Sequence, residues 1–298
     1  LALRLLPAGG ALDKRPRLDV AGAATITGAL VLAVYAIVGG EQAGWRSVQT
    51  LGMLAAAIAL FAAFLAIESR VAEPLTPLSL FRLRNLSTAN VIGVLWAAAM
   101  FAWFFLSALY LQLVLGYSPL QVGLAFLPAN LIMGAFSFSL SAWTVGRFGI
   151  RRPLAVGLGL AALGLGLFAL APVEGVFWLH VLPSMTLLGV GAGMAFNPVL
   201  LAAMNDVEPD QSGLASGVVN TAFMMGGALG LAILASLAAA KTGGLLELGV
   251  APREALNAGY HLAFLVGAAC AASAAAIGLI FLKEPSAEAR AAAALGAH

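Results

Sequence analysis

Asn130, Gly134, Ser137 and Ser141 recur at intervals of three and four residues, and so do Ser216, Asn220, Met224 and Gly227. Residues so spaced share one face of an α-helix. Their chemistry is hydrogen bonding: an amide offers two donors and two acceptor lone pairs, a hydroxyl one donor. Ser184, Thr186 and Asn197 fall in another apolar run, and Trp96, Ser107 and Tyr110 in a fourth that is rich in aromatics. No cysteine cluster and no paired carboxylates occur in these runs. His180 and His261 lie near the ends of apolar runs and His298 is terminal; no HExxH and no GxxxxGK[ST] occurs. A metal hydrolase and a directly ATP-driven pump are therefore not expected. Cys270 is the single cysteine, so no disulfide forms within the chain, and its place in an apolar run reads as packing. The expectation is a protein without cofactor, metal or enzymatic activity.

The elements that must position these residues follow from composition. Of 298 residues, 62% are hydrophobic and 9% charged, where a soluble domain carries about 25% charge. Mean hydropathy is +1.00. A chain this apolar has lipid as its main solvent and the bilayer as its main partner. A net charge of +2 gives no footprint for nucleic acid. Eight stretches are long enough to cross a bilayer: Val20–Val38, Val48–Ile67, Asn90–Leu111, Leu120–Val145, Pro153–Ala171, Val176–Leu201, Leu214–Ala240 and Tyr260–Leu282. None contains Asp, Glu, Lys or Arg. The runs are continuous and do not alternate, so helices are expected rather than strands. The fold class is all-α integral membrane protein.

Lysine and arginine set the orientation. With the N-terminal segment cytoplasmic, that side holds 12 of the 15 basic residues: Arg4, Lys14, Arg15, Arg17, Arg70, Arg82, Arg84, Arg147, Arg151, Arg152, Lys283 and Arg290. The other side holds Arg46, Lys241 and Arg253. Both ends are then cytoplasmic. The loop Asn205–Gly213 carries Asp206, Glu208 and Asp210 and no basic residue, which weighs little in this rule. Leu1 stands where a methionine would, inside what reads as the end of an apolar segment, so an earlier part of the chain is expected to be missing; an unusual start codon is the alternative. The predicted division is a link over 1–19, a two-helix unit over 20–67, a linker over 68–86, a six-helix bundle over 87–283 and a tail over 284–298.

Polar groups in lipid are costly and turn toward a bundle interior or a wet cavity. Within the predicted bundle, the first, second, fourth and fifth helices carry polar stripes, whereas Pro153–Ala171 has none and Tyr260–Leu282 almost none. The four striped helices are expected to line a cavity, with Trp96, Tyr110, Asn130, Met133, Ser137, Asn197, Asn220 and Met224 as its candidate residues. Aromatic and thioether groups such as Phe101, Phe104, Met133 and Met224 suit bulky apolar cargo. Plain helix–helix packing is the competing reading for each of these. Gly189, Gly193, Gly226 and Gly230 are expected at close helix contacts, and Pro128, Pro183 and Pro198 at kinks. No titratable group lies near mid-depth in the eight runs, so no proton-coupling residue is assigned.

Several stretches carry a family resemblance. Arg4–Pro7 through Leu18-Asp19 to Gly22, Gly44-Trp45, Pro74-Leu75 through Leu80-Phe81-Arg82 to Asn85, Tyr110-Leu111-Gln112 through Gly116-Tyr117-Ser118-Pro119 to Pro128, and Gly213–Gly230 together resemble the C-terminal part of the 14-helix drug:proton antiporters of the major facilitator superfamily, EmrB/QacA type. The resemblance implies that 20–67 is that family's central helix pair and 87–283 its C-terminal bundle. It implies that the first, second, fourth and fifth bundle helices face the cavity. It further implies a missing N-terminal six-helix half as partner, which would hold the coupling acids. Gly146, Arg147, Gly149, Arg151 and Arg152 resemble a degenerate copy of the loop that latches the cytoplasmic gate; simple anchoring by positive charge is the alternative. Many relatives carry Arg-Gln where this chain has Phe223-Met224. The implied function is proton-coupled efflux of lipophilic, drug-like small molecules by alternating access. A carrier of another metabolite, peptide or sugar, and a non-transporting fragment or assembly partner, are the alternatives. Arginine in place of lysine and heavy use of alanine point to a GC-rich bacterial genome, hence a bacterial inner membrane.

Overall fold

The computed structural model describes residues 19–71, 78–208 and 211–284. Arg4–Pro7, Lys14, Arg15, Arg17, Leu18, Pro74, Leu75, Pro77, Asp210 and Arg290 lie outside the described residues, as do most of the expected link over 1–19 and tail over 284–298.

Each of the eight apolar runs forms a helix: α1 (Val20–Ala43), α2 (Val48–Glu68), α3 (Arg84–Val114), α4 (Pro119–Phe148), α5 (Arg151–Phe168), α6 (Phe177–Met204), α7 (Ser212–Glu247) and α8 (Pro252–Phe281). All eight are long and apolar enough to cross a membrane. The starts are written in local chemistry. Asp19 Oδ1 accepts the Gly22 N–H at 2.8 Å, and Ser47 Oγ accepts the Thr50 N–H at 3.1 Å. At α4, Ser118 and Gln121 cap each other reciprocally, with Pro119 as the first helical residue.

Helix ends depart from the apolar runs. α3 begins at Arg84 rather than Asn90, α8 begins at Pro252 rather than Tyr260, and α7 extends to 36 residues. Apolarity marks the lipid-embedded length; backbone bonding continues past it into residues with charged or small side chains. Three of the helices contain a π-helical turn: Tyr110–Val114 in α3, Phe136–Leu140 in α4 and Phe177–Val181 at the start of α6.

α3 is the hub of the packing, against α7, α8 and, more lightly, α6. α5 packs between α6 and α8, and α4 packs on α6. α1 and α2 pair with each other, and α1 rests on α7, where the Ser236 hydroxyl donates to the Ile37 carbonyl at 3.3 Å. Small residues set these spacings. A Cβ at Gly157 of α5 would stand 2.7 Å from the Gly191 carbonyl oxygen of α6. About half of the bland helix α5 is buried, with Leu154, Leu158, Ala161 and Phe168 fully enclosed. Its lack of polar groups is what lets it pack by shape alone.

Side chains lock the two ends of α3, α5 and α8. At one end Asn85 exchanges hydrogen bonds with the Lys283 backbone (2.8 and 3.2 Å), and Arg84 Nε donates to the Phe281 carbonyl at 3.0 Å. At the other end Arg253 donates to the Val114 carbonyl, Asn257 to that of Ala171 at 3.0 Å, and the Tyr110 hydroxyl to that of Pro172 at 2.8 Å. His261 Nε2 lies 2.7 Å from the Ala171 oxygen, which accepts only, so this nitrogen carries the proton.

Candidate functional site

Aromatic rings connect the four polar-striped helices. Phe101 of α3 meets Phe223 of α7 edge-on, with centroids 6.2 Å apart, and Phe223 meets Phe196 of α6 in the same way at 6.1 Å. Phe104 of α3 stacks on Phe126 of α4 at 5.6 Å, and the Trp103 ring lies 4.3 Å from Phe104. Met100, Phe101, Phe104, Phe105 and Ala108, one face of α3, line an open groove of about 400 Å³. This wall is apolar and adaptable in shape, which suits bulky cargo without a fixed hydrogen-bond pattern.

Polar groups border that wall. Asn220 lies one helical turn before Phe223, and Asn130 one turn after Phe126. Both amides are exposed, and neither makes a hydrogen bond with the described residues. An unpaired amide facing acyl chains is costly. Met224 is 48% exposed in the same stretch of α7. Asn197 of α6 donates to the Ser137 carbonyl at 2.9 Å. Ser137 belongs to the π turn of α4, whose irregular ladder leaves carbonyls open to side chains. Met133 and Ser137 are half-buried near this junction.

Trp96 and Tyr110 are not on this surface. Both are 1% exposed in the interior of the half-bundle. The Tyr110 ring meets Phe168 edge-on at 6.4 Å while its hydroxyl reaches Pro172. Their place in the polar stripe of that run made them cavity candidates; α3 is enclosed on several sides, and both rings are buried within it. Phe126, Phe196 and Phe223 belong to the wall and were not singled out as lining residues. The spacing of Phe126 from Asn130 and of Phe223 from Asn220, four and three residues, is the signal that finds those two; Phe196 is adjacent to Asn197 and has no such signal.

The glycines lie at contacts. A Cβ at Gly189 would stand 2.6 Å from the Ala129 carbonyl oxygen, at Gly193 2.8 Å from that of Met133, and at Gly226 2.6 Å from Val94 Cα; Gly230 faces Ala98 directly. These bring α4 onto α6 and α7 onto α3. The turn between α4 and α5 gathers Arg147, Gly149, Arg151 and Arg152 around a cavity of about 520 Å³, with Phe148, Leu279 and Glu284. Gly146 lies just outside, with open space where a Cβ would be. Gly149 has φ 78°, and a Cβ there would meet the Glu284 carboxylate at 2.6 Å, so backbone and space both demand glycine. Glu284 accepts the Ile150 N–H at 3.1 Å and the Arg151 N–H at 3.0 Å, capping α5 from the end of α8. Among the described residues, no cluster of three His, Cys, Asp or Glu could hold a metal ion.

Comparison with known proteins agrees with this architecture. The family model described as Major Facilitator Superfamily matches residues 20–231. The chain is 32% identical over 275 residues to the puromycin resistance protein pur8 of Streptomyces alboniger, covering 90% of this chain and 54% of that protein. It is 35% identical over 232 residues to the tetracenomycin C resistance and export protein of Streptomyces glaucescens, covering 76% and 41%. It is 34% identical over 237 residues to the multidrug resistance protein Stp of Mycobacterium tuberculosis, covering 79% and 43%. The chain spans about half the length of these relatives. With eight apolar helices packed around α3 and a family match over most of its length, this multi-pass membrane protein belongs to the major facilitator superfamily.

Proposed function

We propose that this chain is the C-terminal part of a proton-coupled exporter of lipophilic, drug-like small molecules. The observation that carries the reading is the aromatic wall Phe101, Phe104, Phe126, Phe196 and Phe223, bordered by the uncovered amides of Asn130 and Asn220. In this reading 87–283 is one of two six-helix bundles, and its wall faces an N-terminal six-helix partner across the cargo path. Residues 20–67 form a helix pair between the bundles. Relatives about twice as long, with printed roles in resistance and export, support that partner and that direction. Alternating access then rocks one bundle against the other. Cargo is held by ring and thioether surface, and the coupling acids belong to the partner. The turn Gly146–Arg152 acts at the cytoplasmic gate. Both chain ends are cytoplasmic, in a bacterial inner membrane.

The test supplies the six-helix N-terminal half to this chain in an efflux-deficient bacterial host. Accumulation of a neutral and a cationic lipophilic dye is measured. The expected result is low accumulation that rises when a protonophore is added. Asn130→Leu and Asn220→Leu raise accumulation at unchanged expression. Efflux of every dye unaltered by both substitutions removes Asn130 and Asn220 from the cargo path.

A further inference from the structure

We propose that the pocket between α4, α5 and α8 binds the phosphate headgroup of an anionic phospholipid, with the lipid's acyl chains lying along Trp143, Phe148 and Leu279. Among the described residues, Arg147, Arg151 and Arg152 share a cavity of about 520 Å³ with a single carboxylate-bearing residue, Glu284. That carboxylate is already occupied, because its two oxygens accept the Ile150 and Arg151 N–H groups. Arg151 Nε is buried and makes no hydrogen bond with the described residues. A buried, unpartnered donor on a cation is costly, and a phosphate oxygen in the cavity removes that cost. The guanidinium fork matches phosphate oxygens two at a time.

The surroundings distinguish a lipid from a free anion. Arg147 lies over the Phe148 ring, 5.8 Å from its centroid. Phe148 is 44% exposed and meets Trp143 edge-on at 6.1 Å; Trp143 and Leu279 are exposed as well. An apolar wall beside the basic cavity gives acyl chains a surface that inorganic phosphate cannot use. The site lies where α4 and α8 end and α5 begins, at the level where headgroups meet hydrocarbon. It is also at the helix ends richer in Lys and Arg, the side that faces the anionic leaflet. The inference is independent of what the chain transports.

The test uses the purified chain in neutral detergent. Its thermal unfolding midpoint is followed while palmitoyl-oleoyl phosphatidylglycerol, the matching phosphatidylcholine, or inorganic phosphate is added. Phosphatidylglycerol is expected to raise the midpoint saturably, with little effect from the other two. Arg147→Gln with Arg152→Gln weakens the apparent affinity about tenfold, equivalent to about 1.4 kcal/mol. Lysine at both positions keeps the charge but not the fork and restores the affinity only in part, and Arg46→Gln near the opposite helix ends leaves it unchanged. An unaltered phosphatidylglycerol response in the double glutamine variant overturns the site. An equal response to phosphatidylcholine reveals unspecific lipid, and an equal response to inorganic phosphate reveals a free-anion site; either overturns the lipid assignment. If the double variant does not fold, Arg152→Gln alone decides, since that side chain is exposed.

Discussion

Single side chains set the local energetics. Glu284 joins the end of α8 to the start of α5 through two charge-assisted hydrogen bonds. Replacing it with glutamine keeps the shape but removes the charge and one acceptor, and should lower stability by about 1 kcal/mol; detergent-solubilised thermal unfolding reads this out. Tyr110→Phe removes only the bond to the Pro172 carbonyl, and a loss of about 1 kcal/mol is expected, with no change in which ring packs on Phe168. Asn220→Leu should behave in the opposite way. Its amide has no partner among the described residues, so stability in detergent stays the same or rises while dye efflux by the assembled transporter falls. Equal effects of Tyr110→Phe and Asn220→Leu on stability would contradict this separation of packing from cargo groups.

At the scale of elements, glycine decides how near two helices come. Gly226 and Gly230 let α7 lie against Val94 and Ala98 of α3. Gly226→Leu must push the helices apart, at a cost of about 1–3 kcal/mol or more if α3 cannot adjust. The readout is thermal unfolding together with loss of the Phe101–Phe223 contact, monitored by cross-linking of cysteines placed at those two positions in a Cys270→Ser background. The stripe pattern made four helices legible as a group. It did not show that α3 is enclosed while α4 is peripheral, because a stripe records which residues share a face and not what that face meets. The π turns were not legible at all: Tyr110–Val114 and Phe136–Leu140 have no proline or glycine to mark them.

For the whole molecule, eight crossings place successive turns on alternating sides. Cysteines introduced at Arg152 and at Gly249, in the same Cys270→Ser background, should label from opposite faces of the membrane with an impermeant thiol reagent. Labelling of both from one face would contradict an odd number of crossings between them. The wall of α3, α4, α6 and α7 is incomplete as a cavity in this chain, since its groove is open. The chain alone is therefore expected to insert and fold but to leave dye accumulation unchanged, and to lower it only together with the proposed six-helix N-terminal half.

Composition and the length of apolar runs determined the solvent, the element type and the number of crossings, because lipid admits no other way to satisfy about 20 consecutive backbone amides. The motifs along those runs determined the family. Tertiary structure alone decided that Trp96 and Tyr110 are enclosed while Phe126, Phe196 and Phe223 meet other rings across helices. It alone brought Glu284 to Gly149, across more than a hundred residues. The reason is the same in both cases: local sequence sets a side chain's direction on its own helix, and only the packing of other helices determines what lies in that direction.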